Sequence, residues 1–449
     1  MRQTNKIRKG IAWLLCTVLV LGILPMLPQI SMQISAAENA ASVFVDGVEL
    51  HAGSQEYFKN GDTADSGATG TYEDHSAYYD TAGELWLNNL EAHTIKANGN
   101  LTIYVCNNQE TNTNIVTATQ NETAIEVTGY LTIRYGGYGG GTGSLTVESD
   151  GKEAIQAGSG MTVSDGVEVK VRAKSGATAI SSGGVLKIDG IRTKLEAAGD
   201  GSTGKGIFAQ QSIYVKNSAV LTAFGGAAAY ESPSGIDKSG YGYEDYNVFT
   251  GDAAPGTQAA KDTVLDGYKY IRIEPTGVAN VKTLTELQAA AQNQYISLIN
   301  VMNDITITDT VYVRRAVTIQ SPDASNVSKL IRGKSHTDVI LDFDGANGHK
   351  SDVVTLKNII VDGNKDGNTQ TASPALKSKS ILVNLESGTV IENNHAKEGA
   401  AIYVNHYSTV TMKEGSEIRN NVSESDGTVY VIGNGGYFEM AGGTISGNT

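Results

Sequence analysis

The segment AIEVTGYLTIRYGGYGGGTGSLTV at residues 124–147 is followed seven residues later by AIQAGSGMTVSDGVEVKV at residues 154–171. Each segment contains three short stretches in which apolar and polar residues alternate, separated by Gly, Ser, Asp and Thr. Alternation with a period of two is typical of β-strands, and the separating residues are typical of turns. The first stretch starts at an isoleucine that recurs every 25 to 30 residues, at Ile95, Ile125, Ile155, Ile180 and Ile207.

A repeat of three short strands predicts one coil of an all-β solenoid, a right-handed parallel β-helix. One such coil is not stable alone, because ordering about 25 residues costs on the order of 25–50 kcal/mol of backbone entropy. Six buried aliphatic side chains return only roughly 9–18 kcal/mol. Stability must therefore come from stacking each coil on the next, as in other solenoids.

The C-terminal part repeats with its own period. Ile391, Ile418 and Ile445 are each 27 residues apart, and so are three asparagines at Asn394, Asn421 and Asn448. Asparagine tolerates a left-handed turn and satisfies backbone groups near it. We therefore expect a ladder in which each side-chain amide bonds a neighbouring coil; the alternative is a row of solvent-exposed turns.

These patterns divide the chain into a leader at residues 1–37, a first domain at 38–275 and a second domain at 276–449. Residues 226–263 interrupt the first period and are interpreted as a long surface insertion. A short α-helix near residues 283–294 is predicted from a capping box formed by Thr283 and Glu286. Such a helix would cover the open end of a stack, so the pattern predicts two stacks, of which the second is expected to be truncated at the C-terminus.

The leader has the features of a signal peptide. Four basic residues precede an apolar run from Ile11 to Leu27, and the small residues Ser35 and Ala37 fit a cleavage site. The leader holds four of the 34 basic and none of the 48 acidic residues, so the mature chain has a formal charge of −18. This charge repels nucleic acid and anionic lipid. We expect a secreted or cell-surface bacterial protein that does not span the membrane after cleavage, and Cys106 alone rules out an intrachain disulfide in the mature chain.

Two parts of the chain resemble known families. Val43 to Tyr79, Leu85 to Asn89 and the coils with AI, LTI and GSLTV resemble β-helical carbohydrate-binding domains of bacterial surface proteins. Val278 to Thr449, ending in GGTISGNT, resembles the pectin-lyase-like right-handed β-helix repeats of surface adhesins. The resemblance implies polysaccharide binding or adhesion at the cell surface. Thr449 ends a repeat without a cap or wall anchor, which departs from the usual layout and suggests a fragment of a longer chain.

A catalytic set is mostly missing from the sequence. Polygalacturonase-like members of this fold carry N-x-D, D-D, G-H-G and R-x-K motifs in that order, and here D-D and G-H-G are absent. N-x-D and R-x-K do occur, but such short patterns arise easily by chance. Arg314 and Arg315 are interpreted as neutralising the acidic surface. The sequence therefore favours a protein without catalytic activity, and a polysaccharide lyase or hydrolase stays the alternative.

The best candidate for an ion site is Asp362, Asn364 and Asp366, followed by Gly367. The D-x-N-x-D-G spacing places three oxygen ligands on one side of a tight loop, which suits Ca²⁺. Ser373 stands where a complete loop of this kind would need a bidentate carboxylate. The alternative is a polar turn with a purely structural role.

Aromatic residues are the candidates for glycan binding, because the CH groups of a pyranose stack on a π surface. Trp86 lies between apolar Leu85 and Leu87, so alternation should turn its ring outward. The other candidates lie in a Gly-rich loop and in the insertion: Tyr135, Tyr138, Tyr241, Tyr243 and Tyr246. The alternative is that these rings pack over strand edges.

Together these observations predict a polysaccharide-binding or adhesive surface module whose partner is a polysaccharide or a host or plant glycan. Because the mature chain is acidic, we expect it to bind neutral glycans without metal and acidic glycans only with Ca²⁺. A passive stalk that carries a functional head elsewhere is the third hypothesis.

Overall fold

The computed structural model describes residues 39–71, 74–106, 113–137, 143–345, 351–368 and 372–449. The leader at residues 1–37 lies outside the described residues. Residues 39–449 form one compact unit. Most strands belong to five sheets, which we name A to E.

Sheets A and B belong to the N-terminal half. Sheet A consists of Ser42–Val45, Val48–His51, Ile95–Ala97, Ile125–Val127, Ile155–Ala157, Ile180–Ser182, Lys205–Ala209 and Ala228–Glu231. Sheet B consists of Glu56–Phe58, Ala77–Tyr79, Glu84–Leu87, Leu101–Val105, Tyr130–Tyr135, Gly160–Ser164, Leu186–Asp189, Ile213–Lys216 and Ile236–Asp237.

Sheet C runs through both halves of the unit. Its main path consists of Glu91–Ala92, Asn114–Gln120, Ser144–Asp150, Glu168–Lys174, Lys194–Gly199, Val220–Gly225, Tyr270–Val281, Leu298–Val301, Val317–Gln320, Val353–Lys357, Leu382–Leu385, Thr409–Met412 and Tyr437–Met440. A hairpin of Glu244–Gly251 and Thr257–Ala259 pairs beside this path.

Sheets D and E belong to the C-terminal half. Sheet D consists of Ile305–Ile307, Lys329–Arg332, Ile360–Asp362, Val390–Glu392, Glu417–Arg419 and Thr444–Ser446. Sheet E consists of Val311–Val313, Leu341–Asp344, Leu376–Lys379, Ile402–Val404 and Val429–Val431. A further pair is formed by His395–Ala396 and Val422–Ser423.

The repeated isoleucines form one column, as the period predicts. Parallel pairing places successive members directly beside each other along sheet A, and each is fully buried: Ile95, Ile125, Ile155, Ile180 and Ile207. Sheet B repeats this arrangement with Leu101, Leu131, Met161, Leu186 and Ile213. The predicted all-β solenoid is confirmed, with about 12 turns.

The long strand Tyr270–Val281 joins two buried hydrophobic clusters. Its first residues pair antiparallel with Val220–Gly225, and its last residues pair parallel with Leu298–Val301. One cluster ends at Ile273 and the other begins at Ala279. The boundary at residue 275 between two domains stays a prediction.

The predicted helix is present as α1, Leu284–Gln292. Thr283 Oγ1 accepts a hydrogen bond from the Glu286 amide, and the Glu286 carboxylate accepts one from the Thr283 amide. Leu287, Ala290 and Ala291 bury the inner face of α1 against the second cluster. Among the described residues, no helix is both long and apolar enough to cross a bilayer.

The insertion is more regular than the sequence predicts. Ala228–Glu231 and Ile236–Asp237 continue sheets A and B, so this segment begins with a further partial coil. A 3₁₀ turn at Ser239–Tyr241 then leads into the hairpin. The Gly- and Ala-rich composition of residues 226–229 hides this coil, because its strands contain few large apolar residues.

Candidate functional site

Trp86 lies on the outer face of sheet B, as alternation with buried Leu85 and Leu87 predicts. The indole ring is nearly parallel to two neighbouring rings. The centroid of Tyr104 lies 4.1 Å away at an interplanar angle of 8°, and that of Tyr78 lies 5.8 Å away at 3°. Both faces of the indole are therefore occupied by protein side chains.

The edges of Trp86 are also engaged. Its Nε1 donates to Asp80 Oδ2 at 3.0 Å, and Gly136 lies so close that a Cβ there would be 3.0 Å from Trp86 Cζ3. A sugar ring cannot stack on the indole unless a neighbouring tyrosine moves. The geometry supports a role in joining successive strands of sheet B more than a role as a glycan platform.

The second predicted platform is only partly described. Tyr138 lies outside the described residues. Tyr135 pairs with buried Val105 and packs against the first hydrophobic cluster. Because Tyr135 occupies an inward-facing position at the end of its strand, most of its ring is turned away from solvent.

The three tyrosines of the insertion are brought near each other but not onto one surface. Tyr241 is only 2% exposed, and its hydroxyl donates to the Ala219 carbonyl. Tyr246 stacks on Tyr241 with centroids 4.8 Å apart, while Tyr243 packs against the second hydrophobic cluster. Burial raises the pKa of Tyr241, and this ring fills the core rather than forming part of a ligand surface.

The predicted ion loop is held by hydrogen bonds and an ion pair. Asp362 Oδ1 accepts from the Asn364 amide at 2.9 Å, and Asp362 Oδ2 lies 3.5 Å from Lys329 Nζ. Asn364 Nδ2 donates to the Arg332 carbonyl at 2.9 Å, while Asp366 is exposed. The Lys329 ammonium thus occupies a place beside Asp362 that a cation would need. The described geometry fits the structural turn, which was the alternative.

A set of residues that the sequence analysis did not single out lies on the outer face of sheet E. Strand register places Tyr312, Asp342, Lys377, Tyr403 and Tyr430 beside one another on five successive strands. We name this row the tyrosine face. At about 4.8 Å per strand the row is roughly 19 Å long.

The rings of the tyrosine face are packed differently from Trp86, which lies between two nearly parallel rings. Tyr312 is 42% exposed, and the Arg314 guanidinium lies 5.5 Å from its centroid. Tyr403 and Tyr430 have centroids 5.4 Å apart but are inclined by 51°, so neither ring covers the other. Sheet E thus presents aromatic surface at both ends of the row.

Charged side chains occupy the middle of the tyrosine face. Asp342 Oδ2 lies 3.9 Å from Lys377 Nζ, and one position along the outer face Asp344 Oδ2 lies 3.7 Å from Lys379 Nζ. Burial raises the pKa of Asp342, an effect that Lys377 and Arg314 oppose. The middle of the row therefore offers acceptors and donors side by side.

A sequence signal for these tyrosines exists. The triplets VYV at 311–313, IYV at 402–404 and VYV at 429–431 each place Tyr between two apolar residues. Alternation turns each tyrosine outward, and the residues flanking it are buried in the first two triplets, whereas in the third Val429 is half-buried and Val431 is exposed. The signal was missed because the first triplet is 91 residues before the second, and only the register shows that they share one face.

The protein is thus a β-solenoid that carries a row of aromatic and charged side chains on the outer face of sheet E. Residues 278–408 match a family model described as "Putative pectate lyase-like adhesive domain". The interpretation of this part as a pectin-lyase-like β-helix of the adhesin type is confirmed. No significant match was found among curated proteins or among solved structures. The likeness of the N-terminal half to carbohydrate-binding domains stays a prediction.

Proposed function

We propose that this protein is a secreted or cell-surface adhesin that binds polysaccharide without catalysis. The observation that carries the proposal is the tyrosine face, which lies largely within the segment that matches an adhesive domain. Exposed Tyr312 and half-buried Tyr403 and Tyr430 lie on either side of an ion pair, along a row that follows the axis of the solenoid.

The tyrosine face offers contacts to both the apolar and the polar groups of a sugar. The apolar CH surface of a pyranose stacks on a tyrosine ring, and a hydroxyl group both donates and accepts hydrogen bonds. Asp342 accepts and Lys377 donates within 3.9 Å of each other. A linear glycan laid along sheet E would therefore meet aromatic, acidic, basic and aromatic groups in turn.

The overall charge favours neutral glycans. The chain carries 34 basic and 48 acidic residues, and a polyanion is repelled unless cations screen or bridge the charges. We expect neutral polysaccharides to bind in the presence of a chelator. Binding of polygalacturonate in the chelator as strong as that of a neutral polymer would contradict this reasoning.

The experiment for the proposed function is retention on immobilised polysaccharides. The double variant Tyr403→Ala/Tyr430→Ala and the single variant Tyr312→Ala should each weaken retention several-fold, since buried aromatic contacts dominate most interfaces. Tyr214→Ala is the matched control, because Tyr214 is another half-buried, outward-facing tyrosine but lies on sheet B. Equal retention of the wild type and these three variants on the polysaccharides would refute a role for the tyrosine face.

A lyase or hydrolase activity is the second candidate, and one observation favours testing it. Asp342 is a carboxyl group with a raised pKa on a solvent-facing strand, beside Lys377 and Arg314. Release of reducing ends or of unsaturated products from neutral and acidic polysaccharides distinguishes this candidate. Product formation that Asp342→Asn abolishes would replace the non-catalytic proposal.

A further inference from the structure

A cavity lies on the outer side of sheet C in the N-terminal half, on strands other than those that carry the tyrosine face. Its volume is about 690 Å³, which is in the range of ligand sites. Glu196, Ala198 and Thr222 form part of its floor, and Phe224 and Tyr270 line one side. We name it the hairpin groove, because Ala254 of the hairpin adjoining sheet C forms part of its rim.

Strand register explains why a groove forms here. Arg172, Ala198, Phe224 and Tyr270 stand side by side on four successive strands. A methyl group thus stands between an arginine and two aromatic rings, which leaves a depression at Ala198. Tyr270 is 4% exposed and packs against Gly256 of the hairpin, so this wall is fixed.

The charges of the groove are balanced and largely paired. Its lining contains four acidic and four basic side chains. Glu168 lies 3.1 Å from Lys170 Nζ and 3.9 Å from Lys194 Nζ, and Arg172 lies 2.6 Å from Asp200. A ligand in the groove therefore meets both signs of charge at close spacing.

Glu196 differs from the other carboxylates of the groove. It is exposed, stands between Lys170 and Thr222 on neighbouring strands, and forms no ion pair with any described residue. Across the next strand, Thr222 pairs with Arg272, whose guanidinium is bound to Glu274. Glu196 is thus an acceptor that faces the groove with its hydrogen-bonding capacity available.

We propose that the hairpin groove is a second binding site and that it takes a neutral oligosaccharide. The inference rests on the proposed glycan-binding function and adds a location outside the segment that matches the adhesive domain. Hydroxyl groups satisfy carboxylates and ammonium groups alike, so a neutral sugar disturbs no ion pair. An anionic ligand would instead bring a like charge beside Glu196, and each cation in the described lining of the groove already has a carboxylate partner.

The test uses isothermal titration of the full chain with neutral hexasaccharides of glucose, mannose, xylose and galactose, and with hexagalacturonate. The titrations are made in a Tyr312→Ala/Tyr403→Ala/Tyr430→Ala background, so that the tyrosine face does not contribute. Ala198→Trp fills the floor of the groove. Thr117→Trp is the matched control, since Thr117 faces outward in the same row of sheet C, three strands from Ala198.

We expect at least one neutral hexasaccharide to bind in this background. Ala198→Trp should weaken that binding by tenfold or more, and Glu196→Gln should weaken it about tenfold, because the sugar hydroxyl then donates to a neutral amide oxygen instead of a charged carboxylate. Thr117→Trp should bind like its parent. Glu196→Gln removes a charge at an exposed position, so its result does not depend on how well the tryptophan variants fold.

Three results would overturn the groove site: no neutral hexasaccharide binds, Ala198→Trp and Glu196→Gln bind as tightly as Thr117→Trp, or hexagalacturonate binds most tightly. If the unmodified chain still binds polymers through the tyrosine face, only the groove inference fails. If the unmodified chain binds no polysaccharide at all, the proposed function itself is refuted.

Discussion

Replacing Asn421 by Ala should destabilise the C-terminal coils much more than replacing its neighbour Asn420. Asn421 is fully buried and bonds groups of both neighbouring coils. Its Oδ1 accepts from the Asn394 amide at 3.0 Å, and its Nδ2 lies 3.0 Å from both the Ile391 carbonyl and Asn448 Oδ1. Asn420 is exposed and has a φ of 57°, a conformation that glycine adopts without strain.

The magnitude follows from the groups left without partners. In Asn421→Ala the buried Asn394 amide loses its acceptor, which costs about 1–3 kcal/mol, and the hydrogen bonds from Asn421 Nδ2 to the Ile391 and Arg419 carbonyls and to Asn448 Oδ1 are lost as well. We therefore expect a loss of about 3 kcal/mol or more. Asn420→Gly should change stability by less than about 1 kcal/mol, since the backbone conformation is kept.

The assay is urea unfolding combined with amide hydrogen exchange. A solenoid can lose its terminal coils before the remainder unfolds, so exchange in the coils between Ile391 and Asn448 reports the local effect. Asn421→Ala should speed exchange there and leave the coils around Ile125 unchanged. Identical midpoints and exchange rates for Asn421→Ala and Asn420→Gly would refute the ladder as a source of stability.

Three further results are expected. Trp86→Ala should destabilise the chain by about 3 kcal/mol, because the stacking of its ring on Tyr78 and Tyr104 is lost. In the wild type, the fluorescence of Trp86 should not change when a glycan binds. A large ligand-induced change in fluorescence would contradict the packed position of the indole. Burial raises the pKa of the Cys106 thiol to about 11, so its alkylation at pH 8 should be at least about tenfold slower than that of a free cysteine; equal rates would show an accessible thiol. Burial also raises the pKa of Glu244, so the native state binds this proton more tightly than the unfolded state. The contribution of Glu244 to stability should therefore fall as the pH rises above the range in which an ordinary glutamate titrates. The difference in urea midpoint between the wild type and Glu244→Gln should follow that fall, and a difference independent of pH would refute it.

The asparagine repeat shows how far a period in the sequence can be interpreted. The spacing of 27 residues predicts that Asn394, Asn421 and Asn448 stack, and the amide hydrogen bonds between them are present. The same reasoning gave these asparagines a left-handed backbone, and this part is wrong. The left-handed residues are Asn393 and Asn420, one position earlier, with φ of 56° and 57°. In each pair of adjacent asparagines, the first has the left-handed backbone and the second forms the ladder. The spacing in the sequence does not distinguish the two.

The predicted glycan-binding residues show what alternation in the sequence does not predict, which is exposure to solvent. Alternation correctly turns Trp86 outward, but a residue that faces outward from its own strand is not necessarily open to solvent. Tyr78 and Tyr104 come from strands paired on either side and cover both faces of the ring. Tyr241 lies in a segment that looks like a surface loop and is nevertheless buried.

The solenoid, its period, the capped helix and the column of isoleucines could all be predicted from the chain alone, because they depend on local residue patterns, most of them repeated at a fixed spacing. Which side chains share a surface became visible only in the folded protein. The row from Tyr312 to Tyr430 joins residues up to 118 positions apart, and the groove at Ala198 exists because the strand beginning at Tyr270 returns antiparallel beside Val220–Gly225. Register between distant strands is fixed by how all the coils pack together, and no local pattern in the chain encodes it.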